Sequence, residues 1–81
     1  MTIKVLYFAS LRESIGRAED QFDFSAEVLS SMNITQLWEH ATGQPSLQEG
    51  LMVSVNQEYK DQNETIKDGD EVAFFPPVTG G

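Results

Sequence analysis

Eighty-one residues without a cysteine make one small domain with one modest core, and they exclude both a disulfide framework and a thiolate metal site. Thirteen acidic residues against five basic ones leave a net charge of −8, which argues against binding nucleic acid through its phosphates and favours a basic protein partner. The lone His40 has no second histidine or glutamate at ligand spacing, the start of the chain lacks a charged-then-apolar leader, and no apolar run reaches about 18 residues; no metal, no membrane and a cytoplasmic location are expected.

Residues 3–8, Ile-Lys-Val-Leu-Tyr-Phe, are β-branched and aromatic and predict a first strand. A short helix is expected over residues 10–15, with Ser10 as its cap, Glu13 at the capping-box position and Gly16 closing it. Residues 18–24 alternate, Phe22 and Phe24 facing one way and Gln21 and Asp23 the other, as in a half-buried strand. The main helix spans residues 34–42. Asn33 caps it with Gln36 three residues on, Ile34, Leu37, Trp38 and Ala41 share one face, and Gly43 ends it. Residues 51–56 read as another strand, Gln57 and Glu58 as a turn, and residues 59–60 as a short strand. Asp68-Gly69-Asp70 is a tight turn into the last strand, residues 71–75. One amphipathic helix must then cover one face of a mixed sheet. The expected class is α+β, in the ubiquitin-like β-grasp arrangement with the first and last strands side by side at the centre.

Two strands carry more apolar bulk than one covered face requires. Ile3, Val5 and Tyr7 can face the helix, yet Leu6 and Phe8 on the other face are apolar too, and Val72 and Phe74 alternate with Ala73 and Phe75. An exposed patch around Phe8 and Phe75, with Tyr59, is therefore expected as a partner surface. The competing arrangement has residues 44–50 or the helix from Ser10 folding over these rings.

The chain then runs Phe74-Phe75-Pro76-Pro77-Val78-Thr79-Gly80-Gly81. Proline cannot donate to a ladder, so the sheet should end by Pro76, dividing a domain of residues 1–75 from a tail of residues 76–81. Those six residues reach about 20 Å when extended. Pro76, Pro77, Val78 and Thr79 fall in bulk towards Gly80 and Gly81, which lack a Cβ and fit a channel too narrow for a side chain. Such a tail suits delivery of the terminal carboxylate into another protein's active site. A free α-carboxylate, with a pKa of about 3.5, is ionised at neutral pH and is a poor acyl donor until activated. The chain offers no catalytic group of its own. Ser10, Ser14, Ser25, Ser30 and Ser31 lie near no histidine in sequence, and the pairs Glu19-Asp20 and Asp70-Glu71 occupy adjacent strand positions that face opposite ways.

At this point the chain resembles the small subunits of molybdopterin synthase, which are ubiquitin-like sulfur carriers. The matching residues are Ile3-Lys4-Val5-Leu6-Tyr7-Phe8-Ala9 with Leu11-Arg12-Glu13 and Gly16, then Val55-Asn56-Gln57, then Asp68 through Gly81. The resemblance implies that an adenylating enzyme uses ATP and Mg to convert the Gly81 carboxylate into an acyl-adenylate. A sulfurtransferase or cysteine desulfurase system then replaces AMP with sulfur. The resulting thiocarboxylate on Gly81 enters the large subunit of a heterotetramer and gives its sulfur to cyclic pyranopterin monophosphate, with no cofactor bound by this chain itself. From the residues themselves, the partner interface is expected at Phe8, Tyr59 and Phe75, and at Arg12, which follows the first strand near the tail base and either pairs with an acidic group on the partner or fixes the tail's exit. Two alternatives share the Gly80-Gly81 end: a carrier for thiazole synthesis or another sulfur pathway, and a ubiquitin-like modifier. The Phe-Phe-Pro-Pro-Val approach favours the first reading over the carrier for another sulfur pathway.

Overall fold

The computed structural model describes residues 1–44 and 50–76. Strands β1 (Thr2–Tyr7) and β5 (Glu71–Phe75) run parallel at its centre, Val5 opposite Val72 and Tyr7 opposite Phe74. A parallel pair needs a long crossover, and everything between these strands supplies it. β2 (Glu19–Asp23) pairs antiparallel with β1 and forms one edge; β3 (Met52–Val55) pairs antiparallel with β5 and carries the two-residue β4 (Glu58–Tyr59) at the other edge. The order β2-β1-β5-β3-β4 is the expected β-grasp sheet, with first and last strands adjacent at the centre.

Among the described residues of the crossover are three helices, α1 (Ser10–Ile15), α2 (Ala26–Ser30) and α3 (Ile34–Thr42). The last of these forms as its sequence dictates. The Asn33 side chain accepts from the Gln36 N–H, the Gln36 side chain accepts from the Asn33 N–H, both at 2.9 Å, and Gly43 closes the helix in the left-handed conformation. Its Ile34, Leu37, Trp38 and Ala41 are buried against Ile3, Val5, Val72 and Phe74, with the Trp38 and Phe74 rings edge to face at 4.9 Å.

Four local expectations need correction. Ser10 is the first helical residue of α1 and not its cap; Ala9 holds that position with no side-chain cap bond, at φ 53°. The strand around Phe22 is shorter than residues 18–24 because its pairing with β1 ends at Leu6–Glu19 and Thr2–Asp23. The hairpin turn is Asn56-Gln57 and not Gln57-Glu58, so the short strand lies one residue earlier than residues 59–60. Finally, α2 was not anticipated. Ser25 caps it by accepting from the Val28 N–H at 3.2 Å, and it buries only Leu29, too brief a stripe to show a helical period.

Tyr7 closes the β1 end of the core. Its hydroxyl donates to Asp20 Oδ2 at 2.7 Å, the same oxygen takes Arg17 Nε at 2.6 Å, and Arg17 Nη2 donates to the Ala41 carbonyl at 2.6 Å. One carboxylate therefore links β1, the segment entering β2, and the end of α3. Burial, then the Asp20 hydrogen bond and charge, push the Tyr7 phenol well above its ordinary range. The folded state thus keeps a proton that the unfolded chain releases near pH 10, so this contribution is intact below about pH 10 and is lost as pH rises beyond it. Tyr7→Phe should lower stability at neutral pH by about 1 kcal/mol and should flatten the alkaline decline. Denaturant melts of both proteins at pH 7 and above pH 10 measure this.

Candidate partner-docking face and tail base

Strand alternation decides what the helix-free face of the sheet displays. Ile3, Val5, Tyr7, Val72 and Phe74 point into the core, so Leu6, Phe8, Ala73 and Phe75 point the other way. Phe8 follows β1 directly, and its N–H donates to the Phe74 carbonyl at 3.2 Å, so the parallel ladder carries it up to the end of β5. There its ring stacks on Phe75 with centroids 4.8 Å apart and planes within 6°. Tyr59, opposite Ser54 in the hairpin, reaches the same ring from the other side at 6.2 Å.

The three aromatic rings predicted at the tail base are therefore one cluster. Phe8 remains 41% exposed and Tyr59 69% exposed, so the cluster faces solvent. The competing arrangement with α1 folded over them is overturned, because α1 turns Leu11 into the core on the other side. Of residues 44–50, the other proposed cover, 45–49 lie outside the described residues. Leu6, Ser54, Ala73, Gln57 and Glu71 join the rings to line a groove of about 260 Å³.

Charge surrounds this apolar floor. On this face Lys4 pairs with Glu19 at 3.6 Å and Glu71 stands on the groove wall, while the Lys60–Glu58 pair, at 3.5 Å, lies on the other face of β4. Arg12, expected near the tail base, is exposed on α1 and makes no ion pair among the described residues. The other arginine, Arg17, is committed to Asp20 and Ala41. Arg12 is thus the guanidinium left available on this acidic domain. Pro76 follows β5 immediately and is half-buried, so the ladder ends where the prolines begin. Pro77, Val78, Thr79, Gly80 and Gly81 lie outside the described residues.

Sequence reasoning missed Gln57 as part of the groove. Placing the hairpin turn one residue late made Gln57 a mere turn position; the available signal was Asn56, a residue that tolerates the left-handed backbone and so marks the true first turn position. Among the described residues no group of three or more His, Asp or Glu side chains is arranged to hold a metal ion, and no helix is long and apolar enough to cross a membrane.

The comparisons with known proteins agree with this architecture. The ThiS family model matches residues 5–81. The molybdopterin synthase sulfur carrier subunit of Escherichia coli K12 is 40% identical, over 98% of this chain and 99% of that one. Among solved structures, SAMP1 from Haloferax volcanii has the same fold, with a TM-score of 0.77 at 24% identity and full coverage of both chains. A chain in the Helicobacter pylori complex of subunits 1 and 2 of molybdopterin-converting factor has a TM-score of 0.62 at 22% identity, again over the whole of both chains. The match across residues 5–81 and the full-length identity to a sulfur carrier subunit place this chain in the ThiS family, among the molybdopterin synthase sulfur carrier subunits.

Proposed function

We propose that this chain is the sulfur-donating small subunit of a molybdopterin synthase, with the Gly81 carboxylate as its only reacting group. The observation that carries the proposal is the stacked Phe8–Phe75 pair, open to solvent at the point where β5 gives way to Pro76. An apolar seat at the root of a tapering tail lets one docking event grip the domain and aim its terminus.

The chemistry needs no acid, base or nucleophile from the folded domain. The Gly81 carboxylate attacks the α-phosphorus of ATP in an adenylating enzyme, pyrophosphate leaves, and an acyl-adenylate forms. The outer sulfur of a persulfide on a sulfurtransferase or cysteine desulfurase then displaces AMP to give an acyl disulfide, and a second thiol cleaves its S–S bond, leaving the thiocarboxylate on Gly81 and a disulfide on the donor. Within the large subunit the thiocarboxylate sulfur attacks a side-chain carbon of cyclic pyranopterin monophosphate, an oxygen substituent on that carbon leaves, and a thioester forms; water then cleaves its acyl–sulfur bond, which leaves the sulfur on the pterin and returns the Gly81 carboxylate. ATP and its magnesium belong to the activating partner. The relative in the Helicobacter pylori complex belongs to an assembly of subunits 1 and 2 of its factor, and a two-subunit assembly of that kind, doubled into a heterotetramer, is the arrangement proposed here. The thiazole carrier and the modifier are disfavoured by the full-length identity to a molybdopterin synthase carrier.

Deleting Gly81 should abolish pterin conversion while leaving the melting curve unchanged, and Gly80→Ala or Gly81→Ala should impair it through added bulk and lost backbone freedom. A pterin-conversion assay with purified large subunit reads this directly, and full conversion by the deletion would refute the proposal.

Phe8→Ala and Phe75→Ala should each weaken binding to the large subunit by about 2 kcal/mol, and by more than they destabilise the free domain, since both rings keep solvent access. Titration calorimetry beside thermal melts separates the two effects. Unchanged affinity would remove the rings from the interface.

The acidic rim should meet a basic surface that also receives the anionic pterin, so association should slow as salt rises while dissociation changes less. Arg12 is assigned an acidic group on that partner. Stopped-flow association across a salt series, for the wild type and Arg12→Ala, tests both statements. A flat salt dependence contradicts steering, and an Arg12→Ala variant with wild-type affinity contradicts the pairing.

A further inference from the structure

Left-handed backbone favours glycine, and four of the described left-handed residues, Gly16, Gly43, Gly50 and Gly69, are glycines. Three are not: Ala9 at φ 53°, Asn56 at φ 52° and Gln57 at φ 72°. All three adjoin the aromatic cluster. Ala9 follows Phe8, and Asn56-Gln57 is the turn that delivers Tyr59. Away from that face the chain uses glycine wherever the backbone asks for it; beside the face it does not.

Asn56 has a visible reason to be there. Its side chain donates to Asp70 Oδ1 at 2.9 Å and accepts from the Glu71 N–H at 3.0 Å, which ties the hairpin to the start of β5. Asparagine also tolerates this backbone region better than most residues. Gln57 has neither advantage. It holds the second position of a two-residue hairpin loop, where both central residues have positive φ and glycine is strongly preferred. Its side chain makes no hydrogen bond to any described residue. It is exposed, and it stands on the groove wall beside Tyr59 and Phe75. A strained backbone held by an otherwise idle side chain is an observation that points to function.

We propose that Gln57 is a further binding determinant of the docking face, its carboxamide hydrogen-bonding a main-chain peptide group of the large subunit at the rim of the aromatic contact. The inference rests on the reading that this face docks on the large subunit. A carboxamide offers both donors and an acceptor, the complement of a peptide unit. Its neighbour on the groove wall, Glu71, only accepts when ionised, so Gln57 brings an uncharged donor there.

The test uses the full chain and purified large subunit, with titration calorimetry and thermal melts for the wild type, Gln57→Gly, Gln57→Glu and Phe75→Ala. Gln57→Gly relieves the backbone, so Tm should rise by about 2–6 °C. The same variant leaves the partner's peptide group unpaired, so Kd should weaken about tenfold. These opposite signs are what a merely structural residue would not produce. Gln57→Glu keeps the shape and loses the donor, so at high salt, where attraction to the basic partner surface is screened, it too should weaken binding. The proposal is overturned by a Gln57→Gly variant with wild-type affinity, by a fall in its Tm, or by tighter binding of Gln57→Glu at high salt. Wild-type affinity in Phe75→Ala would instead overturn the docking-face reading, whatever Gln57 does.

Discussion

The parallel pairing of β1 with β5 is the constraint on which the rest of the molecule depends. It joins the two ends of the folded domain, so strands distant in sequence finish side by side at the centre of the sheet and at the same end of it, Tyr7 against Phe74. One consequence is energetic. Ile3, Val5, Val72 and Phe74 form a fully buried floor, and α3 can cover it only because the intervening chain returns across that face. The other consequence is functional. Phe8 and Phe75 each extend one residue past that last pair, and the ladder brings their rings into contact where the tail departs.

The two faces of the sheet follow different rules. The helix side is closed by packing and by one shared carboxylate, Asp20, which takes the Tyr7 hydroxyl and the Arg17 guanidinium together. The other side keeps its aromatics in solvent and rings them with charge. Leaving large rings exposed forfeits the burial free energy that each would contribute, about 1.5–3 kcal/mol for a side chain of this size. That forfeited stability becomes available when a partner covers the face.

Much of this was legible in the sequence, for identifiable reasons. The α3 cap, its apolar stripe and its terminal glycine lie within eleven consecutive residues, Asn33 to Gly43, so local rules suffice. The exposed cluster was legible from a surplus: one helix cannot cover two faces, and Leu6, Phe8, Ala73 and Phe75 had nowhere to be buried. What escaped was decided by tertiary context. Ser10 looked like a cap, but the chain leaves β1 through a left-handed Ala9 so that Leu11 can reach the core, and this shifts the helix start. The α2 turn has a single buried residue, Leu29, and hence no period to detect. The hairpin register slipped by one because Gln57, a poor residue for a left-handed position, concealed the turn. The roles of Gly80 and Gly81 were argued from their missing side chains and from what precedes them, an argument that belongs to chemistry and not to the folded domain.

The central claim is that sulfur travels on Gly81 and leaves it inside the partner. The most direct measurement is a single turnover with the chain loaded at its terminus with radiolabelled sulfur, mixed with purified large subunit and cyclic pyranopterin monophosphate, with the label followed by chromatography. The account predicts that label moves from protein to pterin only when the large subunit is present, and that the recovered chain returns to its unloaded mass. Label that stays on the protein, or that appears as an amide-linked conjugate instead of in the pterin, would contradict it.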